Sequence, residues 1–435
     1  NLQSLMHLLK GNIGTGVLAM PIAVSYAGLW VGSAGILLLG GFATHCMHIL
    51  LNCNAKLQKR TGNFTPLSYA GILETSIATG PKSIRKFSTG GRRVVNGFLI
   101  VTQIGFCCIY ILFVAQSLKQ FIHSFWSDDF NIHVYLTIVA VLLLPYCYVK
   151  NLVQLAPFST FAMLLHMTSL IITFYYVLDD LPDYSIRPAT KPLSKLPLYF
   201  GTALFTYEGI GLVMPIENRM RTPAAFRGCN GLLSVGMVII CTLYTAMGWF
   251  GYVKYGDESE GSVTLNLPSK DLLARSVNIF LAISLFISYG LQLYVPVRII
   301  YPSIERRLVS RRKKLLGEYV FRTVIVIFTA GVAMVVPHLD LLISLVGAFA
   351  SSSLALIIPP IIELITYSAP NEKLSSISNF LMWSKNIILM IFGLVGFATG
   401  TYTTLDEIIK SFSSDSVPIS NLGPASNITF NYIGT

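Results

Sequence analysis

The sequence predicts an all-α polytopic membrane protein with eleven transmembrane helices. Hydrophobic residues make up 53% of the 435 residues and charged residues only 12%, whereas soluble domains carry about 25% charged residues. The apolar residues form runs of about 20 residues, the length that a helix needs to cross the hydrocarbon core. These runs lack the period-two alternation of barrel strands, and a helix satisfies its backbone hydrogen bonds internally.

The apolar runs follow one another along the whole chain, and no polar linker separates domains. We therefore predict a single transmembrane domain over residues 1–435, with residues 410–435 as an outward-facing tail. Segment 65–78 is expected to form a short interfacial helix between the second and third spans. The predicted spans are 4–28, 30–54, 94–124, 132–149, 153–178, 197–221, 229–254, 271–302, 318–336, 339–366 and 381–409.

The distribution of charge predicts the orientation. The net charge is +11, and 23 of the 31 basic residues fall on the side that holds the N-terminus. The opposite side holds eight basic and 13 acidic residues. Basic connections stay in the cytoplasm, so the N-terminus is predicted to be cytoplasmic and the C-terminus lumenal or extracellular. Solvated basic loops explain the net charge without a nucleic-acid partner, although the basic run 306–314 could touch anionic lipid head groups of the bilayer.

Little in the sequence indicates other chemistry. Asn427 begins a sequon in the outward tail and is the expected glycosylation site. His45 and His48 share a helix face, but no further ligand lies near them in sequence, so we predict no metal site. There is no phosphate-binding loop and no nucleophile with its base and orienting residue, so we do not expect an enzyme.

The first predicted span is interrupted near its middle. The segment contains Gly11, Asn12, Gly14, Thr15 and Gly16. A glycine costs about 1 kcal/mol in a helix interior, so three within six residues predict a break. The break would expose N–H groups at the start of the second half-helix, where the positive end of the helix dipole favours a carboxylate.

The sixth predicted span is interrupted in the same way. Gly209 and Gly211 flank Ile210, and Glu208 precedes them near the middle of the span. An unpaired carboxylate at this depth is costly, which makes Glu208 a functional-site candidate. Close packing against a neighbouring helix is an alternative explanation for the glycines.

The two interruptions occupy corresponding positions if the chain is an inverted repeat. The first repeat would cover about 4–178, the second about 197–366, and an extra helix would cover about 381–409. Interrupted helices in corresponding positions of two repeats indicate a transporter with its site near the bilayer midplane.

Five collinear motifs extend over essentially the whole chain. They are HLLKGNIGTGVLAMP at 7–21, GRRVV followed by VTQIGFCCIYILF at 91–113, FGTALFTYEGIGLVMPIEN at 200–218, GSVTLNLP at 261–268 and PHLDLLISLVGAFASSSLALIIPP at 337–360. Together they resemble the proton-coupled amino acid transporter family of the amino acid/auxin permease branch of the APC superfamily. The resemblance implies an eleven-helix LeuT-like fold and symport of H⁺ with small neutral amino acids of the glycine, alanine and proline class. It implies no cofactor besides the coupling proton, and residence in lysosomal, endosomal or plasma membranes.

The resemblance also implies roles for particular residues. The substrate carboxylate would meet Gly11, Asn12, Gly14, Thr15 and Gly16 in the first helix. The amino group and side chain of the substrate would meet Phe205, Tyr207, Glu208 and Gly209 in the sixth. His7 matches the histidine that the family associates with proton coupling. Tyr110 in the third helix is a candidate lid over the substrate side chain, and Glu208 and His166 are the alternative proton carriers.

Two other functions fit the same sequence. The first is an amino acid sensor with low flux, signalling to a partner through an N-terminal tail that we expect to precede residue 1. The second is a sodium-coupled amino acid transporter, because no residue excludes Na⁺.

Overall fold

A computed structural model describes residues 2–62, 64–124, 130–149, 152–220, 222–228, 230–268, 270–369 and 375–415. The regular secondary structure in these ranges is entirely helical, as predicted, and the predicted glycosylation site at Asn427 lies outside them. The helices are α1 (Leu2–Asn12), α2 (Met20–Ala27), α3 (Leu29–Thr61), α4 (Tyr69–Thr79), α5 (Ser88–His123), α6 (Ile132–Cys147), α7 (Leu152–Leu178), α8 (Leu196–Thr206), α9 (Ile210–Glu217), α10 (Leu232–Tyr255), α11 (Leu272–Glu305), α12 (Arg311–Val335), α13 (Leu339–Val346), α14 (Ile358–Tyr367) and α15 (Ser376–Asp415).

Eight regions within those ranges are long and apolar enough to cross a membrane. A ninth is obtained by joining α1 to the continuous helical stretch Thr15–Ala27, which meets it at a bend of 42°. The two remaining predicted spans correspond to shorter helices. Span 132–149 is the 16-residue apolar helix α6, and span 197–221 is the pair α8 and α9, which are 11 and 8 residues long.

Several helices extend further than their apolar runs. The helix α3 continues to Thr61, α5 begins at Ser88, and α15 covers 40 residues from Ser376 to Asp415. Hydropathy identifies only the part of a helix that lies within the hydrocarbon core. Polar residues can continue the helical hydrogen bonds beyond that part. The predicted interfacial segment 65–78 forms α4, which packs on α5 and is capped where the side chain of Ser68 accepts from the N–H of Gly71.

The packing of the helices brings the two interruptions together. The helix α1 packs against α9 and α10, and α8 packs against α2 and the 3₁₀ segment Thr15–Ala19 that connects α1 to α2. On the other side, α8 packs against α13 and α15. The segment Thr15–Ala19, which follows the end of α1, therefore lies against α8, the helix that ends at the second interruption.

Two π-helical turns connect α13 to α14. They cover Gly347–Ser351 and Ser353–Ile357, where the sequence contains the serine triplet 351–353. A Cβ atom on Gly347 would lie 1.8 Å from the carbonyl oxygen of Gly201 in α8. The absence of side chains at both glycines therefore lets this irregular segment lie directly against the helix that ends at the second interruption. Such π-turns are frequent at functional sites.

Candidate functional site

The first interruption is a short extended segment between two helical stretches. The helix α1 ends at Asn12, Gly14 has extended backbone angles (φ −126°, ψ −153°), and a 3₁₀ helix begins at Thr15. All five residues of that 3₁₀ helix are buried. Among the described residues, nothing lies within 4 Å of a Cβ position built on Gly14. The residues that follow the interruption, Thr15–Ala19, are thus buried, whereas there is free space beside Gly14.

The second interruption is tighter. The helix α8 ends at Thr206, and the N–H of Gly209 donates to the carbonyl of Tyr207 at 2.7 Å before α9 begins at Ile210. A turn of this kind leaves Glu208 at the corner between two short helices. Both interruptions lie where glycines and polar residues in the sequence predict them.

Close packing joins the two interruptions. A Cβ on Gly16 would lie 2.8 Å from the Cα of Thr206, and a Cβ on Gly209 would lie 2.0 Å from the side-chain oxygen of Asn12. The hydroxyl of Thr206 donates to the carbonyl of Thr202 at 3.1 Å and lies 3.4 Å from the carbonyl oxygen of Gly16. The packing explanation for the glycines therefore holds at Gly16 and Gly209, whereas Gly14 makes no such contact.

A buried tyrosine that the sequence analysis did not single out bridges the interruptions. The hydroxyl of Tyr244 in α10 lies 2.6 Å from the carbonyl oxygen of Asn12 and 3.1 Å from that of Thr206. These carbonyls belong to the last residues of α1 and α8, where helices leave carbonyl groups without an intrahelical partner. The single O–H of Tyr244 is thus a shared donor that links the two helix ends. No local signal marks this residue, because its role depends on packing between distant segments.

Four polar side-chain atoms with no hydrogen-bond partner of normal geometry in the described structure belong to this region. They are Asn12 Oδ1, His166 Nε2, Glu208 Oε2 and Ser351 Oγ, and all four are buried. The ring of His166 lies against the backbone of Gly14, and the carboxyl group of Glu208 lies beside the hydroxyl of Ser351. A buried polar atom without a partner costs about 1–3 kcal/mol, so such atoms are rare and call for an explanation.

The predicted aromatic residues divide into two groups. Phe205 packs on Phe106 with 4.9 Å between ring centroids, and Phe106 packs on Tyr110 at 6.1 Å. Tyr110 is buried and its hydroxyl accepts from Gln292 at 3.2 Å. Tyr207, in contrast, points its hydroxyl to the carbonyl of Ile36 in α3 at 2.9 Å. Phe205 and Tyr110 belong to one aromatic row, and the phenol group of Tyr207 is engaged by a neighbouring helix.

Two further predicted residues, His7 and Gly11, lie on α1, which also carries Lys10. His7 is exposed on the surface of α1. The ammonium group of Lys10 donates to the hydroxyl and the carbonyl of Ser159 in α7, at 2.9 and 3.2 Å. Gly11 is exposed and packs its backbone on Leu212 of α9. Of the three predicted proton carriers, the structure therefore brings His166 and Glu208 to the interruptions and leaves His7 at the surface.

Known proteins share this sequence over nearly its full length. Residues 1–406 match the family described as "Transmembrane amino acid transporter protein". A Drosophila melanogaster protein, "Proton-coupled amino acid transporter-like protein pathetic", is 35% identical over 414 residues, which cover 95% of this chain and 86% of that protein. The chain belongs to the transmembrane amino acid transporter family. As a member of this family it is a multi-pass membrane transporter of amino acids and not an enzyme.

Another relative and two solved structures are also similar to this transporter. The "Probable amino acid transporter skat-1" of Caenorhabditis elegans is 26% identical over 420 residues, covering 94% of this chain and 90% of that protein. Among solved structures, the transporter is similar to the inward-facing conformation of Mhp1, with a TM-score of 0.56, 12% identity and coverage of 95% and 90% of the two chains. Mhp1 in a closed conformation with bromovinylhydantoin bound gives a TM-score of 0.53, 11% identity and coverage of 94% and 91%. These structures share the LeuT-like fold.

Proposed function

We propose that this transporter couples the entry of a proton to the symport of a small neutral amino acid of the glycine, alanine and proline class. In this proposal α6 and the pair α8 and α9 each count as one span, which gives eleven spans in a five-plus-five inverted repeat with one extra helix. The N-terminus is cytoplasmic and the C-terminus lumenal or extracellular, in a lysosomal, endosomal or plasma membrane. The family membership supports amino acid transport, the Mhp1-like fold supports the helical arrangement, and the distribution of basic residues supports the orientation.

The substrate is proposed to bind between the two interruptions. The single observation that carries this proposal is that Asn12 Oδ1 at the first interruption and Glu208 Oε2 at the second are buried without hydrogen-bond partners in the described structure, while the backbone of Gly14 is open. A zwitterionic amino acid has two poles of opposite charge. Its carboxylate suits the first N–H groups of the helical stretch Thr15–Ala27, which have no intrahelical partner. Its ammonium group suits the oxygens of Asn12 and Glu208, which need donors.

The aromatic row Phe205, Phe106 and Tyr110 is proposed to cover the side-chain end of the substrate. These rings pack on one another and on the end of α8. In this proposal the three packed rings oppose the entry of a large substrate side chain. This is the basis for proposing glycine, alanine and proline as substrates and tryptophan as a poor one.

We propose that the proton is carried by His166 or Glu208 and not by His7. His166 lies against Gly14 and Glu208 beside Ser351, so a proton on either group can change the contacts of the interruptions themselves. One proton that moves down about one pH unit and about 100 mV releases roughly 3.7 kcal/mol. That energy concentrates a neutral solute several hundred-fold, which is sufficient for this class of substrate.

Uptake into proteoliposomes tests the proposed function. Radiolabelled glycine, alanine, proline and tryptophan are supplied with and without an inward proton gradient, in the absence of Na⁺. We expect gradient-dependent uptake of the three small amino acids and little uptake of tryptophan. Uptake that ignores the proton gradient contradicts symport, and uptake that requires Na⁺ supports the sodium-coupled alternative. Substrate binding without measurable flux supports a sensor.

A pair of variants tests the proton carrier. His166→Gln and Glu208→Gln each remove one protonatable group while keeping a polar side chain. We expect at least one of them to abolish the response of uptake to the proton gradient. Exchange of labelled for unlabelled amino acid should continue in His166→Gln, whereas Glu208→Gln should also weaken exchange, because Glu208 is proposed to contact the substrate. A full response in both variants contradicts the proposal and returns the role to His7.

A further inference from the structure

A cavity lies between α11 and α12, away from the interruptions. Its volume is about 340 Å³, within the range of small-molecule pockets. Its wall includes four basic residues, Arg298, Arg311, Lys314 and Arg322, and two acidic residues, Glu305 and Glu318. Basic side chains therefore outnumber acidic ones in its wall.

The two carboxylates are already paired. Glu305 lies 3.5 Å from the ammonium group of Lys314, and Glu318 lies 2.9 Å from the guanidinium group of Arg322. Arg322 is almost fully buried and also donates to the carbonyl of Cys147 at the end of α6. These pairs fix one side of the cavity and neutralise Lys314 and Arg322.

The other two arginines have no carboxylate partner in the part of the chain that the structure describes. Arg298 is exposed and donates to the hydroxyl of Tyr294 at 3.1 Å, with its guanidinium group 5.8 Å from the centre of that ring. Arg311 is exposed at the first residue of α12. The cavity thus presents two uncompensated guanidinium groups.

The surroundings of the cavity match a membrane surface. Six basic residues lie between positions 306 and 314, on the short connection and the first turn of α12. Exposed apolar side chains follow directly, with Leu315 at 53% and Leu316 at 64% exposure. A cavity with cationic walls beside exposed apolar helix surface offers places for both a charged head group and an acyl chain.

We propose that this cavity binds the phosphorylated head group of an anionic membrane lipid. Arginine binds phosphate through two parallel hydrogen bonds, and Arg298 and Arg311 are the two groups available for it. Basic pockets between transmembrane helices are known to accept phosphoinositide and similar head groups. The proposal does not depend on which amino acid is transported or on proton coupling.

Lipid binding to the full chain in nanodiscs tests this proposal. The nanodiscs contain phosphatidylcholine alone or with phosphatidylserine, phosphatidylinositol or phosphatidylinositol bisphosphate, and bound lipid is measured by native mass spectrometry. We expect the bisphosphate lipid to be retained most strongly. The variant Arg298→Gln/Arg311→Gln is expected to lose that retention by about tenfold or more, because hydrogen bonds to charged groups are the strong ones.

The matched control is Arg306→Gln/Arg307→Gln, which removes the same charge from exposed positions that do not line the cavity. We expect it to retain the bisphosphate lipid. Equal losses in both double variants indicate diffuse attraction by the basic run and overturn the proposal. If soluble inositol phosphate displaces the bound bisphosphate lipid as effectively as the free lipid does, the head group alone accounts for binding, and the proposal of a membrane lipid as the ligand is overturned. If the glutamine pair unfolds, Arg298→Lys/Arg311→Lys keeps the charge but not the paired hydrogen bonds, and unchanged retention in that variant contradicts the arginine contacts.

Discussion

The two interruptions are built differently. At the first, Gly14 is open and exposes backbone, and the buried ring of His166 lies against it. At the second, Gly209 is packed on Asn12 and the hydroxyl of Tyr207 donates to α3, and among the described residues Glu208 Oε2 is left without a hydrogen-bond partner. The first interruption therefore supplies backbone N–H groups and the side-chain oxygen of Asn12, and the second supplies the carboxyl group of Glu208. The carboxylate of an amino acid needs donors such as the N–H groups, and its ammonium group needs acceptors such as these oxygens.

The largest expected effect on transport comes from changing Glu208, the side chain that the second interruption supplies to the proposed site. Glu208→Gln keeps the shape of the side chain and removes its charge. We expect gradient-driven uptake of alanine to fall about 10- to 100-fold, because a hydrogen bond to a charged group contributes about 1.5–3 kcal/mol. Ser351→Ala is the control for the neighbouring hydroxyl, and its effect should be smaller. Equal uptake by Glu208→Gln and the unmodified transporter contradicts a role for the carboxyl group.

The packing of the first interruption gives the next effect. A Cβ on Gly16 would lie 2.8 Å from the backbone of Thr206, whereas Gly14 has nothing within 4 Å among the described residues. We expect Gly16→Ala to destabilise the fold by about 1–3 kcal/mol through overpacking. Gly14→Ala should leave thermal unfolding nearly unchanged but weaken the stabilisation that added alanine gives, because the new methyl group occupies the open space.

These two variants separate packing from binding in one experiment. Thermal unfolding in detergent is measured for both, with and without alanine. If Gly14→Ala destabilises the transporter as much as Gly16→Ala, both glycines are equally packed, and the distinction between an open Gly14 and a packed Gly16 is wrong.

The bridge between the interruptions gives a moderate effect. Tyr244→Phe leaves the carbonyls of Asn12 and Thr206 without their common donor. We expect a loss of about 1–2 kcal/mol of stability, since buried acceptors lose their partner. Tyr207→Phe is the matched control, because its hydroxyl bonds to a single carbonyl, that of Ile36, and lies beside the sulfur of Cys241. A larger loss for Tyr207→Phe would mean that the contact with α3 matters more than the bridge.

The smallest effect is expected at His7. Its side chain is exposed on α1, and exposed substitutions usually change stability by less than about 0.5 kcal/mol. We expect His7→Gln to keep both its stability and its response to the proton gradient. Loss of that response with unchanged alanine binding would support the role that the family resemblance implies for His7.

Much of this architecture follows from the sequence because its causes are local. Hydropathy located the helices, and glycine composition located both interruptions near Gly14 and Gly209. The helix ends were less accurate, since polar residues continue α3 to Thr61 and α15 to Asp415. The role of Tyr244 and the position of His166 against Gly14 could not be inferred, because each depends on contacts between segments more than 100 residues apart.

The most direct test of the substrate site is a cryo-electron microscopy structure of the transporter with bound alanine. We predict that the substrate carboxylate lies within hydrogen-bonding distance of the N–H groups at the start of Thr15–Ala27. Its ammonium group should lie within hydrogen-bonding distance of Asn12 or Glu208. Alanine bound elsewhere in the helix bundle, with both interruptions unchanged and unoccupied, would contradict the proposed site.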